Sequence, residues 1–176
     1  MRRLRTLILS AATLLSVTHL FGPPTAHAAT VSPAADWCRK QGGIVHDYQP
    51  RNPEAPMTVK PMCVFTARDG SRVLIGTETL SAAHATLAAV AYVNRPPMPA
   101  TRGGGSPATA YCEGLGGKVD QYGWTTAAEP SAPPVGLCVF SDDSAIDEWG
   151  LAQHADKTTH GLDLTGKFRY RTNGTD

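Results

Sequence analysis

Short apolar stretches bounded by glycine or proline recur along residues 32–154 and predict alternating helices and strands. Cys63-Val64-Phe65 and Cys138-Val139-Phe140 each predict a strand with cysteine and phenylalanine on one face and valine on the other. The stretches 44–48 and 118–122 predict the strand that comes before each of these. The pattern predicts an α+β protein built around short antiparallel hairpins.

A helix is predicted at the start of each segment. Ser32 and Ser106 are suited to cap a helix, because a serine oxygen accepts from a free backbone amide of the first turn. A proline follows each serine and fits the first helical position. The glycine pairs at 42–43 and 116–117 end the helices, since glycine tolerates the positive φ of a C-terminal cap.

Beyond the second strand the two segments are predicted to differ. The first has an Asp69-Gly70 turn, a strand over 72–75 and an alanine-rich helix from about Leu80 to Val93. In the second, Ser144 and Asp147 form a capping-box-like pair that predicts a helix to about residue 154. Residues 155–176 read as a polar tail with one candidate strand over 167–171.

The same motifs occur twice in the same order. Residues 32–38 recur at 106–112 with an offset of 74, the glycine pair has the same offset, and Cys-Val-Phe follows at 75. We therefore predict two tandem disulfide-stapled modules, each an N-terminal helix packed on a short antiparallel hairpin and followed by a further helix. The modules span 29–93 and 106–154, joined by a proline- and glycine-rich linker over 94–105.

The first 28 residues have the features of a secretory signal peptide. Arginines at positions 2, 3 and 5 precede an apolar stretch from Leu7 to about Phe21, and Ala26-His27-Ala28 matches a signal-peptidase site. A retained membrane anchor is the alternative, disfavoured because the apolar stretch is short and contains polar residues. We expect a secreted, extracellular protein cleaved near Ala28.

The charge balance argues against two classes of partner. The chain has 16 lysines and arginines against 15 acidic residues, and without the three N-terminal arginines the balance is 13 against 15. A chain without a basic excess lacks the electrostatic footprint of a nucleic-acid or anionic-lipid binder. Residues 29–176 also contain no apolar stretch of spanning length. We expect no nucleic-acid partner and no membrane insertion.

Four cysteines in an exported chain predict two disulfides. Three pairings are possible, and the duplication selects Cys38 with Cys63 and Cys112 with Cys138. Each bridge would stabilise a module of about 50 residues, which buries little surface of its own. Zinc binding or redox chemistry lacks support, because no Cys-x-x-Cys pair and no regular His/Cys ligand spacing occurs.

The second segment resembles a known bacterial module. Its Ser-Pro-Ala-x-x-Tyr-Cys start, Gly-Gly pair, Cys-Val-Phe strand and Ser-x-x-Asp-Glu-Trp ending at 144–149 resemble the "putative hemolysin" family, a domain of unknown function numbered 333. The resemblance covers 106–152 well and 32–71 more loosely. It implies a small envelope or extracellular module, and nothing in the residues supports membrane lysis.

Two departures from the family pattern stand out. The family usually has a further cysteine before its acidic pair, where this chain has Ile146 and, by alignment, Val73. The first segment also lacks the acidic-Trp ending. By this resemblance, apolar packing replaces one bridge in each module, and the first module has drifted into a supporting role.

The titratable residues form no recognisable catalytic or metal site. His84 lies in the predicted alanine-rich helix, while His154 and His160 stand near two aspartates, Asp156 and Asp163, at no known ligand spacing. Asp147-Glu148 is interpreted as a pair of acids that offsets a helix dipole. Asp142-Asp143 lacks the calcium-loop pattern. We predict no catalytic residue, no metal and no cofactor.

The two proline-rich loops, 49–61 and 123–135, are the predicted binding surfaces, displayed in equivalent positions of the two modules. Three aromatic residues at helical positions, Trp37, Tyr111 and Trp149, are predicted to anchor the core. Trp124 instead stands at the entry to the second loop, where we expect it to be exposed. The candidate binding residues are Trp124, Pro130, Pro133 and Pro134.

Two functions are consistent with this pattern. The leading hypothesis is a secreted, noncatalytic binding or interaction module that acts on an unknown envelope or extracellular partner. The alternative is a secreted inhibitor of a protease- or lysozyme-type hydrolase, which presents a proline-rich loop to the enzyme cleft. A small hydrolase ranks third.

Overall fold

Helices alternate with short strands, and the α+β class is confirmed. The structure, a computed structural model, describes residues 32–99, 105–155 and 161–172. The predicted signal peptide over 1–28 lies outside these residues. The elements in chain order are α1 (Pro33–Lys40), β1 (Ile44–Pro50), β2 (Lys60–Thr66), β3 (Arg72–Gly76), α2 (Thr77–Ser81), α3 (Leu87–Asn94), α4 (Pro107–Gly114), β4 (Lys118–Val119), β5 (Trp124–Thr126), β6 (Leu137–Val139), β7 (Ala145–Asp147), α5 (Glu148–Ala155) and α6 (Arg169–Thr172).

The first helix of each segment begins and ends at the predicted caps. The side-chain oxygens of Ser32 and Ser106 accept from first-turn amides at 3.2 and 3.3 Å. A proline occupies the start of both helices. Gly42 and Gly116 follow the helices with φ of +84° and +88°, a backbone conformation that glycine adopts without strain.

The second glycine of each pair makes room for a disulfide. The bridges join the first helix of each segment to the strand after the loop, in the predicted pairing Cys38–Cys63 and Cys112–Cys138. A Cβ atom on Gly43 or Gly117 would approach the nearest sulfur closer than two such atoms can lie. The helix can therefore pack against its strand only because these positions carry no side chain.

The seven strands form one antiparallel sheet that curls until its ends meet. Their order is β4-β6-β7-β3-β2-β1-β5, yet only residues 120–123 connect β4 at one end to β5 at the other. Such a connection reaches about 18 Å, whereas a flat sheet of seven strands is about 29 Å wide. The sheet closes where Trp124 and Val135, just before β6, exchange two backbone hydrogen bonds of 2.8 Å.

The curled sheet separates two apolar clusters. Alternation along β2 places Met62 and Val64 in one cluster and Cys63 and Phe65 in the other. The smaller cluster is enclosed by the strands and consists of Tyr48, Met62, Val64, Leu74, Trp124, Leu137 and Ala145. The larger cluster lies between the sheet and the helices and contains all four cysteines.

Contacts across the sheet join the N-terminal half (residues 32–94) to the C-terminal half (residues 105–155). β3 pairs with β7, and β1 pairs with β5. At the start of α3, the amide of Ala88 donates to the Ser144 hydroxyl at 2.9 Å. The described residues of both halves therefore belong to one compact unit.

Contacts between distant residues correct the helix predictions. The helix expected over 80–93 is two helices, α2 and α3, because Thr86 caps a new helix by accepting from the Ala89 amide at 3.3 Å. Ser144 does not cap α5, since its oxygen is engaged by α3. Asp147 takes that role by accepting from the amide of Gly150 at 2.5 Å.

The described part of the tail, residues 161–172, packs into the core rather than forming a polar extension. Leu164 and Phe168 are fully buried in the larger cluster. The Trp37 indole N–H donates to the Lys167 carbonyl at 3.0 Å and holds the tail against α1. The strand predicted over 167–171 is wrong, because hydrogen bonds of the turn type satisfy this backbone locally and α6 forms instead.

The strand register revises one alignment between the halves. Ile75 lies opposite Cys63, as Ile146 lies opposite Cys138. Ile75, rather than Val73, is thus the counterpart of Ile146. Both isoleucines are fully buried, which accords with apolar packing at these positions.

Candidate functional site

An open groove of about 410 Å³ lies on the C-terminal half. α4 contributes one wall through Thr109 and Glu113, and the connections at 119–123 and 134–136 contribute the others. Glu148, the first residue of α5, also lines the groove. A space of this size falls within the range of small-ligand sites.

Glu148 places a buried carboxylate in this groove. Glu148 is only 8% exposed, and one oxygen of its side chain accepts from the Thr109 hydroxyl at 2.5 Å. Its amide donates to the Gly136 carbonyl at 2.9 Å, and a Cβ on Gly136 would collide with the carboxylate. Among the residues that the structure describes, no lysine, arginine or histidine forms an ion pair with Glu148.

Acidic residues give the groove a negative character. Glu113, Asp120 and Glu148 line it, and no basic residue does. The Asp120 carboxylate accepts from the Tyr122 amide at 2.8 Å and fixes the turn that presents the Tyr122 ring, which is 48% exposed. Within the described ranges, no three His, Cys, Asp or Glu residues lie close enough to hold a metal ion. The acidic lining of the groove suits a positively charged group.

Asp147, the neighbour of Glu148, joins three elements. Its two oxygens accept from the amides of Leu74 and Gly150, each at 2.5 Å, so it ties β3 to β7 and caps α5. Burial raises the pKa of Asp147 to about 6, although both of these hydrogen bonds act in the opposite direction. The carboxyl group therefore titrates within the folded protein at mildly acidic pH.

Replacing Asp147 by asparagine is expected to change how stability depends on pH. The pKa of Asp147 is about 6 in the folded protein, above its ordinary value of 3.8, so the folded state holds the proton more tightly than the unfolded state. The protonated group therefore stabilises the fold fully below pH 3.8, and this stabilisation is lost as the pH rises through 6. The loss amounts to roughly 3 kcal/mol. Urea unfolding from about pH 3.5 to 7.5 should show the wild-type free energy of unfolding falling relative to that of D147N.

Glu129→Gln is the matched control for this measurement, since Glu129 is exposed on the second loop. The free energy of unfolding of E129Q should run parallel to that of the wild type across the pH range. A stability difference between wild type and D147N that stays constant over the same range would contradict the role of Asp147.

The predicted exposure of Trp124 is wrong. Its side chain is 7% exposed and belongs to the cluster enclosed by the strands. The neighbouring Thr125 is 3% exposed. Closure of the sheet converts the entry of the predicted loop into β5, so Trp124 faces the interior.

Most of the remaining residues of the second loop are exposed, between two fixed ends. The ends meet at the Trp124–Val135 bridge, and a turn forms inside the loop where the Ala132 amide donates to the Glu129 carbonyl at 3.0 Å. Three candidate residues of this loop are exposed, namely Pro130, Pro133 and Pro134, and the last also lines the groove. Their part in binding stays a prediction.

The two proline-rich loops leave the β1–β5 pair at opposite ends. The chain leaves β1 after Pro50, which pairs with Trp124 at the start of β5. It leaves β5 after Thr126, at the far end of the same pair. Because the strands are antiparallel, loops 51–59 and 127–134 start from opposite ends of this pair. Each loop still lies between the first strand of its half and the strand that carries the second cysteine, so their display in equivalent positions stays a prediction.

The three aromatic residues predicted to anchor the core behave differently. Tyr111 is buried and donates from its hydroxyl to the Pro96 carbonyl at 2.6 Å. Trp37 is partly buried against the larger cluster. Trp149 is 46% exposed on α5, so the prediction is wrong for this residue.

The histidines are not gathered around one site in the described residues. His84 is exposed between α2 and α3 rather than within a helix. His154 is buried in α5 against the ring of Tyr92. Asp163 accepts from the Tyr92 hydroxyl at 3.1 Å, and His160 lies outside the described residues.

Sequence reasoning missed Thr109 and Tyr122, and it assigned Glu148 only to the helix dipole. The signal that could have singled out Glu148 is its place in the acidic-Trp ending of the motif. Its partner Thr109 is 39 residues away in sequence, and no local pattern links the two. Only the packing of α4 against α5 brings them together.

Two structural findings bear on location. The disulfides indicate an extracellular or periplasmic location, because thiols stay reduced in the cytosol. None of the helices within residues 32–99, 105–155 and 161–172 has the length and apolar character needed to cross a bilayer.

The comparisons with known proteins bear on one part of the chain. Residues 103–155 match the model of a family described as a domain of unknown function (DUF333). All of the residues that line the groove, from Thr109 to Glu148, lie within this segment. No curated protein and no solved structure matches the chain.

Proposed function

We propose that this protein is an exported, noncatalytic binding protein that holds its partner in the groove beside Glu148. The observation that carries the proposal is a buried carboxylate without a cationic partner among the described residues, lining an open groove. The Thr109 hydroxyl donates to only one of its two oxygens, so the carboxylate can also accept from a cationic group of a ligand that enters the groove. The match over 103–155 includes the whole groove.

Export through a signal peptide over 1–28 is part of the proposal. The arginines, the apolar stretch and the Ala-His-Ala site support it, and the two disulfides agree with it. The resemblance to the hemolysin-labelled family supports a shared module only, and we propose no lytic activity.

We also propose that the two halves are duplicated modules of which only the second keeps the groove. The order helix, three antiparallel strands, helix occurs in both halves, apart from β5, and supports the duplication. With Ile75 aligned to Ile146, the counterpart of Glu148 is Thr77. Thr77 donates to the Pro61 carbonyl at 3.2 Å and carries no charge. The N-terminal half then supports the fold rather than the ligand.

Affinity capture with paired aromatic variants tests the groove. Tyr122→Ala removes an exposed ring from the groove wall, whereas Trp149→Ala removes an equally exposed ring that does not line it. The disulfide-bonded wild-type protein, immobilised, should retain a specific component from secreted and cell-wall fractions. We expect Y122A to retain at least about tenfold less of it, because exposed aromatic rings dominate many binding sites, and W149A to retain the wild-type amount.

Other outcomes of the capture experiment assign other surfaces. Loss of capture in W149A alone would move the site to the exposed face of α5. Loop 127–134 favours a second candidate function, the hydrolase inhibitor. The Trp124–Val135 bridge fixes both ends of this largely exposed loop, so less conformational freedom would be lost when it enters an enzyme cleft. Capture of a hydrolase that is lost when residues 128–132 are replaced by glycine and serine, and kept in Y122A, would establish that function instead.

A further inference from the structure

Glu148 has acceptor capacity that no described residue uses. A carboxylate offers about four lone-pair sites. The Thr109 hydroxyl occupies one site on one oxygen, and no described cation pairs with the group. Because the side chain lines the groove, a ligand that enters the groove can reach it.

The walls beside Glu148 are apolar as well as acidic. Val119, Tyr122, Pro134 and Val135 line the same groove as the three carboxylates. An apolar wall next to a buried negative charge matches a group with an alkyl stem and a cationic head. The exposed Tyr122 ring adds a surface over which a cation is attracted.

The arrangement around Glu148 favours an ammonium group over a guanidinium group. A guanidinium binds a carboxylate best through both oxygens at once. Here Thr109 already donates to one oxygen, and Gly136 packs closely against the carboxylate. An ammonium group is a point charge with three donors and needs only a single free acceptor site, and the Thr109 hydroxyl oxygen offers a second.

We infer that the groove binds a primary alkylammonium group, of the kind that a lysine side chain carries, with its nitrogen between the Glu148 carboxylate and the Thr109 hydroxyl. The inference rests on the proposed binding function and specifies the chemistry of its ligand. The alkyl stem lies along Tyr122 and Pro134. A protein lysine and a small free amine share this chemistry, so the test includes both sources.

NMR titration of the disulfide-bonded protein provides the test. The probes are a blocked pentapeptide with one lysine among alanines, the same peptide with Nε-acetyllysine or arginine, and 1,5-diaminopentane. We expect the lysine peptide to shift resonances of groove residues, the arginine peptide to bind several-fold more weakly, and the acetylated peptide to cause no shift. If the lysine peptide and the diamine bind with equal affinity, the groove recognises the ammonium group alone. If the peptide binds more tightly, the natural ligand is a lysine of a protein. Both results support the inference.

The matched variants are Glu148→Gln and Glu129→Gln, which remove the same charge inside the groove and on the exposed loop. E148Q should weaken lysine-peptide binding at least tenfold, and E129Q should leave it unchanged. Thr109→Val, which removes only the hydroxyl, should weaken it to a lesser extent and serves if E148Q does not fold. Equal binding by wild type, E148Q and T109V, or binding of the acetylated peptide, overturns the inference.

The same variants separate this inference from the proposed function. If E148Q still captures the natural partner while Y122A does not, the groove binds a partner and the ammonium inference fails. If wild-type protein captures nothing and binds none of the probes, both the inference and the proposed function fail.

Discussion

Replacing Trp124 by alanine is expected to lower the free energy of unfolding by about 3–5 kcal/mol, the cost of removing a large buried ring and leaving a cavity. Trp124 is 7% exposed and packs with Tyr48, Met62 and Leu137 inside the curled sheet. Its indole N–H has no hydrogen-bond partner among the described residues, so the loss comes from packing alone. Urea unfolding followed by far-UV circular dichroism measures the change.

Two matched variants make this result specific. Trp149→Ala removes a tryptophan that is 46% exposed and should cost less than about 1 kcal/mol. Trp124→Phe should cost less than Trp124→Ala, because phenylalanine keeps most of the buried ring and no hydrogen bond is lost. If W124A and W149A are equally stable, Trp124 lies on the surface, as the sequence alone suggested.

The helix ends could be predicted because cap chemistry is local. A serine side chain reaches amides two or three residues ahead, as Ser32 and Ser106 do. The positive φ of Gly42 and Gly116 depends only on the backbone of the cap itself. These contacts fall within a few residues, so the sequence pattern contains all that determines them.

The disulfide pairing is a long-range contact that was nevertheless predicted. Four cysteines allow three pairings, and spacing alone does not choose among them. The repeated motifs supplied the missing information, since a duplicated segment repeats its internal contacts. The observed separations of 25 and 26 residues agree with that argument.

The closed sheet and the groove could not be predicted, because distant segments create them. Trp124 follows a turn and precedes a proline-rich stretch, which is the local pattern of an exposed loop. Its burial depends on β1, more than 70 residues earlier, and on the bridge to Val135. In the same way, Ser144 has the local pattern of a helix cap, but its hydroxyl accepts from the amide of Ala88 in α3, 56 residues away.

Removing either disulfide is expected to lower the free energy of unfolding by about 3–4 kcal/mol. Bridges that close loops of 25 and 26 residues restrict the unfolded chain to a similar degree. C38A/C63A and C112A/C138A should therefore lose nearly equal stability. Urea unfolding of the two double variants, compared with wild type under oxidising conditions, measures this.

Both disulfide variants are also expected to unfold in one transition rather than two. All four cysteines lie in one apolar cluster. β1 and β3 of the N-terminal half pair with β5 and β7 of the C-terminal half, and the Ser144 hydroxyl accepts from the Ala88 amide at the start of α3. Loss of either bridge therefore lowers the stability of the same cooperative unit. Tryptophan fluorescence reports on Trp37 in the N-terminal half, and on Trp124 and Trp149 in the C-terminal half, so its transition should coincide with that of circular dichroism. Two separate transitions, of which only one moves in each variant, would mean that the halves fold independently.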